Sequence, residues 1–167
     1  MRVLGIDPSL QSTGFGIVES GAGALRPVAF GIIKPAAGRP LHRRLHEIGS
    51  EVGRLIREFQ PDEACVENPF YAKNVRTALV LGQVRGAILA AIAETPCRFS
   101  EYSALEIKKA VTGYGQADKA QVKLMVSALL GLEEGPIPLD ASDALAAAIC
   151  HINVCLSRVD SGGPERL

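Results

Sequence analysis

No two of the four cysteines, Cys65, Cys97, Cys150 and Cys155, stand at C-x-x-C spacing, and each lies in or beside an apolar segment. That pattern argues against a zinc ribbon or a disulfide framework, and the thiols are read as reduced and packed. No apolar run of about 18 residues escapes interruption by charge or glycine, so the chain reads as soluble, with no membrane partner. No signal-peptide pattern precedes the first apolar segment, and a cytoplasmic location is expected. Net charge is also missing: 18 Lys and Arg balance 18 Asp and Glu, which taken alone disfavours a nucleic-acid partner. Length sets a further limit. At 167 residues one domain with a sizeable core fits, and two full lobes do not.

The charge is not evenly spread. Residues 73–123 hold eight basic side chains (Lys73, Arg76, Arg85, Arg98, Lys108, Lys109, Lys119, Lys123) against four acidic ones, a local net of +4. This excess restores nucleic acid as a partner class.

The first apolar stretch, Val3-Leu4-Gly5-Ile6, shows almost no alternation, as in a strand covered on both faces, and Pro8 ends pairing near Asp7. A polar turn over residues 8–12 leads to a second strand over 13–19, and residues 25–33 supply a third, so the chain opens with three antiparallel strands. Leu41, Leu45, Ile48, Val52, Leu55, Ile56 and Phe59 recur at helical spacing up to Pro61. His42 and His46, four apart on that helix beside Arg43 and Arg44, read as a solvated face rather than a metal pair.

Glu63-Ala64-Cys65-Val66-Glu67 follows a helix and reads as a parallel strand reached by a crossover. The right-handed crossover rule lays it beside the first strand, which brings Asp7 and Glu67 together at the strand ends. Asn68 to Asn74 reads as a loop with two large aromatics, Phe70 and Tyr71. Composition alone would fold those rings onto the core.

Residues 75–94 form a helix that is apolar nearly all round and needs cover on more than one face. Ala78, Gly82, Gly86 and Ala90 recur every four residues, a ridge of small side chains that suits pairing with a second copy in a homodimer. The other cover available is another helix of the same chain, for instance the one starting at Asp140. A strand over 98–102, a helix over 104–112 and a helix over 119–130 capped by Asp118 come next. Residues 133–139 read as a loop.

A last helix runs from Asp140 to about Leu156. Asp140 and Asp143 leave the same side of its first turn, which is either ordinary capping or half of a carboxylate cluster. The resulting fold is α/β, a mixed five-stranded sheet with helices on both faces. Its domain covers 1–157, and 158–167 reads as a C-terminal tail.

Four stretches resemble the RuvC family of bacterial Holliday-junction resolvases, in the ribonuclease H-like fold group. They are Leu4-Gly5-Ile6-Asp7-Pro8, Val66-Glu67-Asn68-Pro69-Phe70-Tyr71-Ala72-Lys73-Asn74, Ala78-Leu79-Val80-Leu81-Gly82-Gln83-Val84-Arg85-Gly86, and Asp140-Ala141-Ser142-Asp143-Ala144-Leu145-Ala146. Their order and spacing cover nearly the whole chain. The resemblance implies a ribonuclease H-like sheet and a catalytic, metal-binding set of Asp7, Glu67, Asp140 and Asp143. It implies magnesium, two ions per site, with manganese as a substitute, and hydrolysis of a phosphodiester to 5'-phosphate and 3'-hydroxyl ends.

The same resemblance implies DNA contacts from Phe70, Lys73, Arg76, Lys108 and Lys119, with Phe70 stacking on bases opened at a four-way DNA junction. The implied partners are that junction, a second copy in a homodimer, and the RuvA-RuvB branch-migration complex. Ser9 departs from the family, in which glycine commonly follows Asp-Pro. Two other readings compete: a sugar-kinase-like phosphotransferase, which would need a second lobe, and a ribonuclease H-like relative that acts on RNA or only binds nucleic acid.

Overall fold

A computed structural model describes residues 1–68, 74–132 and 137–160, the last three by backbone alone. Ten elements follow one another: β1 (Arg2–Asp7), β2 (Thr13–Gly21), β3 (Ala24–Ile33), α1 (Leu41–Phe59), β4 (Glu63–Asn68), α2 (Val75–Ala93), β5 (Arg98–Ser103), α3 (Ala104–Thr112), α4 (Lys119–Leu130) and α5 (Leu139–Asp160). The five strands make one sheet in the order β3-β2-β1-β4-β5. The first three are antiparallel, and β4 and β5 join parallel to β1. This is the mixed sheet expected from the sequence. Pro27, which has no N–H to give a ladder, sits on edge strand β3 beside a bulge.

Strand alternation divides the core in two. Leu4, Ile6, Ala64 and Val66 point to one face, where Ile48, Val52, Leu55 and Ile56 of α1 and Val84, Ile88 and Ile92 of α2 cover them. Val3, Val18 and Cys65 point to the other face, against α3, α4 and α5. Helices therefore flank both faces.

Helix α5 is the central element of the second layer. Ala141, Ala144, Leu145, Ala147, Ala148, Ile149 and Ile152 are all fully buried along it. It lies on the backbone of β1 and β2 with almost nothing between. A Cβ built on Gly5 would stand 2.1 Å from the Ala144 carbonyl oxygen, and one on Gly14 would stand 1.9 Å from that of Asp140. Neither position accepts a side chain.

Several boundaries differ from the sequence reading, and β2 runs on to Gly21. β4 continues through Asn68, β5 through Ser103, and α5 runs from Leu139 to Asp160, so residues 157–160 continue the helix. Its C-terminal half is held to α3, where Asn153 Nδ2 donates to the Ala110 carbonyl at 3.2 Å. The tail reading for residues 161–167 and part of the 133–139 loop lie outside the described residues.

The last helix does not cover α2, as one of the two sequence readings allowed. It occupies the opposite face of the sheet, while α2 packs on α1 through Val84, Ile88, Ala91 and Ile92. The outer side of α2 is exposed: Val75 is 76% and Leu79 65% accessible, and Ala78, Gly82, Gly86 and Ala90 are all exposed.

Gly14→Ala should force the start of α5 off the sheet, because the nearest atoms are backbone and cannot turn away. The expected cost is about 3 kcal/mol or more in chemical denaturation. A stability within about 0.5 kcal/mol of wild type would show that the contact can relax.

Candidate active site

Two carboxylates come from neighbouring strands. The parallel register Gly5↔Cys65, Ile6↔Val66 sets Asp7 and Glu67 side by side as β1 and β4 leave the sheet. By alternation both point to the α5 face, with Val3 and Cys65. Pro8 ends the β1 ladder, and the turn after it is closed by its own side chains. Thr13 Oγ1 donates to the Ser9 carbonyl at 2.5 Å, and Ser9 Oγ accepts from the N–H groups of Gln11 and Ser12 at 3.3 and 3.4 Å. Ser9 thus builds the turn where the family commonly has glycine.

The other two come from the first turns of α5. Asp140 is brought in by the contact of its carbonyl with Gly14, the residue paired with Asp7. Asp143 lines a cleft of about 220 Å³ together with Asp7, Glu67, Lys108 and Lys119. Apolar side chains, Ala104, Ile107, Val122 and Ala146, form the rest of its wall. Lys119, in the first turn of α4, places Nζ 2.7 Å from Asp143 Oδ2. The acidic first turn is therefore tied to this cleft as well as suited to the helix end.

The charges are in conflict. Burial pushes the Asp7 carboxyl up to about 8, and Glu67, Asp143 and Asp140 push the same way, against a smaller downward pull from Lys119. Burial also raises Glu67, aided by Asp143 and opposed by Lys119 and Lys108. The Lys119 ammonium is raised by its hydrogen bond to Asp143, with Asp7 and Glu67 adding to the effect. Two lysines do not neutralise four carboxylates. A site of this kind with only oxygen donors fits hard divalent cations such as magnesium or manganese.

Of the DNA-contact residues expected from the sequence, Lys108 and Lys119 line the cleft. Arg76 lies beside it, in a groove with Pro8, Ser9, Leu10, Gln11 and Arg44. Phe70 and Lys73, with Tyr71, lie outside the described residues. His46 contacts Ser50 on the exposed side of α1, 3.4 Å away. Two residues named in the sequence reading take positioning roles that it does not assign. Arg44 Nη2 donates to the Leu10 carbonyl at 2.9 Å, holding the turn after Asp7. Arg85 Nη1 donates to Asn68 Oδ1 at 2.9 Å while its other nitrogen pairs with Glu101, fixing the strand end next to Glu67. The sequence marks Arg85 only as one of the basic residues of 73–123 and as part of a family-like stretch, with no partner indicated.

The family described as "Crossover junction endodeoxyribonuclease RuvC" matches residues 3–151. The chain is 48% identical over 151 residues to the protein of that name from Moorella thermoacetica, covering 90% of both chains. It is 44% identical over 153 residues to that of Syntrophomonas wolfei, covering 92% of this chain and 89% of the relative. Among solved structures, T. thermophilus RuvC in complex with Holliday junction substrate has a TM-score of 0.88 at 33% identity, covering 93% of this chain and 94% of that one.

The raised carboxyl has a consequence for stability. In the unfolded chain Asp7 ionises near 3.8, and in the fold near 8. The folded chain therefore holds an extra proton between those values. Stability from this group is complete below the lower value and is lost as pH rises through the upper one. Asp7→Asn removes the loss, so in EDTA it should melt above wild type by roughly 4 to 8 °C at about pH 9 and much less at about pH 4. Equal melting shifts at both pH values would contradict the raised Asp7 carboxyl.

Proposed function

The chain belongs to the RuvC family of crossover junction endodeoxyribonucleases, and from that premise we propose that its four carboxylates cut four-way DNA junctions with magnesium as cofactor. The chain is a metal-dependent hydrolase that resolves Holliday junctions. The observation that carries the assignment of the site is the convergence of Asp7, Glu67 and Asp143 on one cleft beside Lys108 and Lys119. Asp140 lies close enough to raise the Asp7 carboxyl.

Asp7, Glu67, Asp140 and Asp143 would hold two magnesium ions, or manganese in their place. Bound there, the ions supply activation of water and stabilisation of the attacking and leaving oxygens of an in-line displacement. The protein's own groups do the rest. Lys119 and Lys108 set fixed positive charge where a phosphate enters, and Asp143 keeps the Lys119 ammonium in place and protonated. The apolar wall limits water and strengthens each of these interactions. Water attacks phosphorus, the 3'-oxygen leaves, and the products carry 5'-phosphate and 3'-hydroxyl ends.

Recognition of the junction is assigned to the surface around the cleft. Arg76, exposed at the start of α2, takes a backbone phosphate, and Phe70 and Lys73 supply a stacking ring and a further cation. A junction has two strands to cut, related by near two-fold symmetry. The exposed ridge of α2 pairs two copies so that two clefts act on one junction. In the cytoplasm such a dimer would take its substrate from the RuvA-RuvB branch-migration complex. A ribonuclease H-like enzyme for RNA would share the chemistry, but the junction-bound structural relative favours DNA junctions.

Glu67→Gln or Asp143→Asn should lower junction cleavage in magnesium by at least about 10³-fold while gel-shift affinity in calcium changes less than about threefold. Loss of binding together with cleavage would reassign these residues to folding. Gly86→Leu, at a position where a Cβ meets nothing within 4 Å among the described residues, should leave the protomer folded and weaken association. Sedimentation equilibrium would show monomers, and a cruciform plasmid would accumulate single nicks. A monomeric wild type making paired nicks would rule out the dimer.

A further inference from the structure

A second cluster of ligating atoms lies at the other end of β4 and α5. Strand β4 carries two carboxylates on its α5 face, Glu67 at its end and Glu63 at its start. Helix α5 runs antiparallel above it. Four strand residues span about 13 Å, and eight helix residues span about 12 Å. Asp143 therefore stands over Glu67, and His151 stands over Glu63. The imidazole is 1% exposed, with Nε2 2.9 Å from Glu63 Oε2 and 3.5 Å from Cys155 Sγ. Its other nitrogen, Nδ1, is 2.9 Å from the Tyr102 hydroxyl. The ligating atoms of Glu63, His151 and Cys155 all lie within 4.8 Å of one another.

We propose that Glu63, His151 and Cys155 form a second metal site, for a zinc-class divalent cation, separate from the catalytic cleft. Three observations support it. A tetrahedral ion with ordinary zinc–nitrogen and zinc–sulfur bonds sets those two ligand atoms about 3.5 Å apart, and Nε2 and Sγ already have that separation. A buried histidine steadied through its second nitrogen is the usual arrangement around metal-bound imidazole, and Tyr102 provides it. The donor set contains a thiol, so it selects zinc-class ions over the magnesium that suits the all-oxygen cleft.

In the metal-free form Nε2–H donates to the Glu63 carboxylate, and Nδ1 shares a hydrogen bond with the Tyr102 hydroxyl. On binding, the proton sits on Nδ1 and is given to the Tyr102 oxygen, while Nε2 faces the ion. Cys155 releases its thiol proton to solvent, and water fills the fourth position. Glu63 Oε1 keeps its ion pair with Arg98, 3.1 Å away. The ion would bind β4 and β5 to the C-terminal half of α5.

Cobalt(II), added to the full chain under reducing conditions in magnesium buffer, tests this. The expected result is a sulfur-to-cobalt charge-transfer band in the near ultraviolet with intense tetrahedral bands in the visible. They should saturate at one equivalent and be bleached by zinc. Cobalt in the carboxylate cleft gives no sulfur band. Cys155→Ser, at a half-buried position, should remove the charge-transfer band, weaken zinc binding at least tenfold in dye competition, and leave junction cleavage at the wild-type rate. No sulfur band in wild type with excess cobalt, or a band that survives in Cys155→Ser, would overturn the site.

Discussion

The direct contact of α5 with the backbone of β1 and β2 is the constraint on which the rest of the structure depends. Glycine at positions 5 and 14 leaves no side chain between helix and sheet. Alanines on the facing side of the helix complete the approach, and Ala141, Ala144 and Ala148 are fully buried there. Spacing of this kind carries carboxylates from a helix start to within interaction range of strand-end carboxylates. Side chains between them would push the helix off the sheet and carry Asp140 away from Asp7.

That approach works against stability. Bringing Asp7 and Glu67 into a partly dry cleft under Asp140 and Asp143 raises the carboxyl of Asp7 to about 8, which means that the fold resists full ionisation of its own site. Lys119 offsets part of the cost through Asp143. The remainder has to be met by protons or by cations. A fold selected only for stability would not place these groups together, and the conflict itself points to function.

Much of this was readable from the residues. Unbroken apolar runs ending in Asp7 and Glu67, joined through a helix, implied parallel neighbours with both carboxylates at one end, and the register bears that out. Asp140 and Asp143 were harder, because an acidic first turn suits any helix; the family resemblance, not the spacing, tied them to the others. The positioning role of Arg85 escaped notice since its partners, Asn68 and Glu101, are 17 and 16 residues away in sequence. The Glu63, His151 and Cys155 group escaped for a stronger form of the same reason. Only His151 and Cys155 share a helix, while Glu63 is 88 residues from His151, and no local pattern encodes that meeting. The exposure of α2 was foreseen as a need for cover, yet periodicity could not say on which face α5 would lie.

Helix α5 and strand β4 act together as a pair of rulers with different graduations. One advances about 1.5 Å per residue and the other about 3.3 Å, and they coincide at both ends, Asp143 over Glu67 and His151 over Glu63. A substitution on the outer side of this span leaves the alignment of the two rulers unchanged. A change of length does not, since one residue added to the helix between Asp143 and His151 turns everything beyond it by about 100° and carries the imidazole away from both Glu63 and Tyr102. The span between these two meetings is therefore expected to keep its length, with insertions and deletions falling in the loops that flank it.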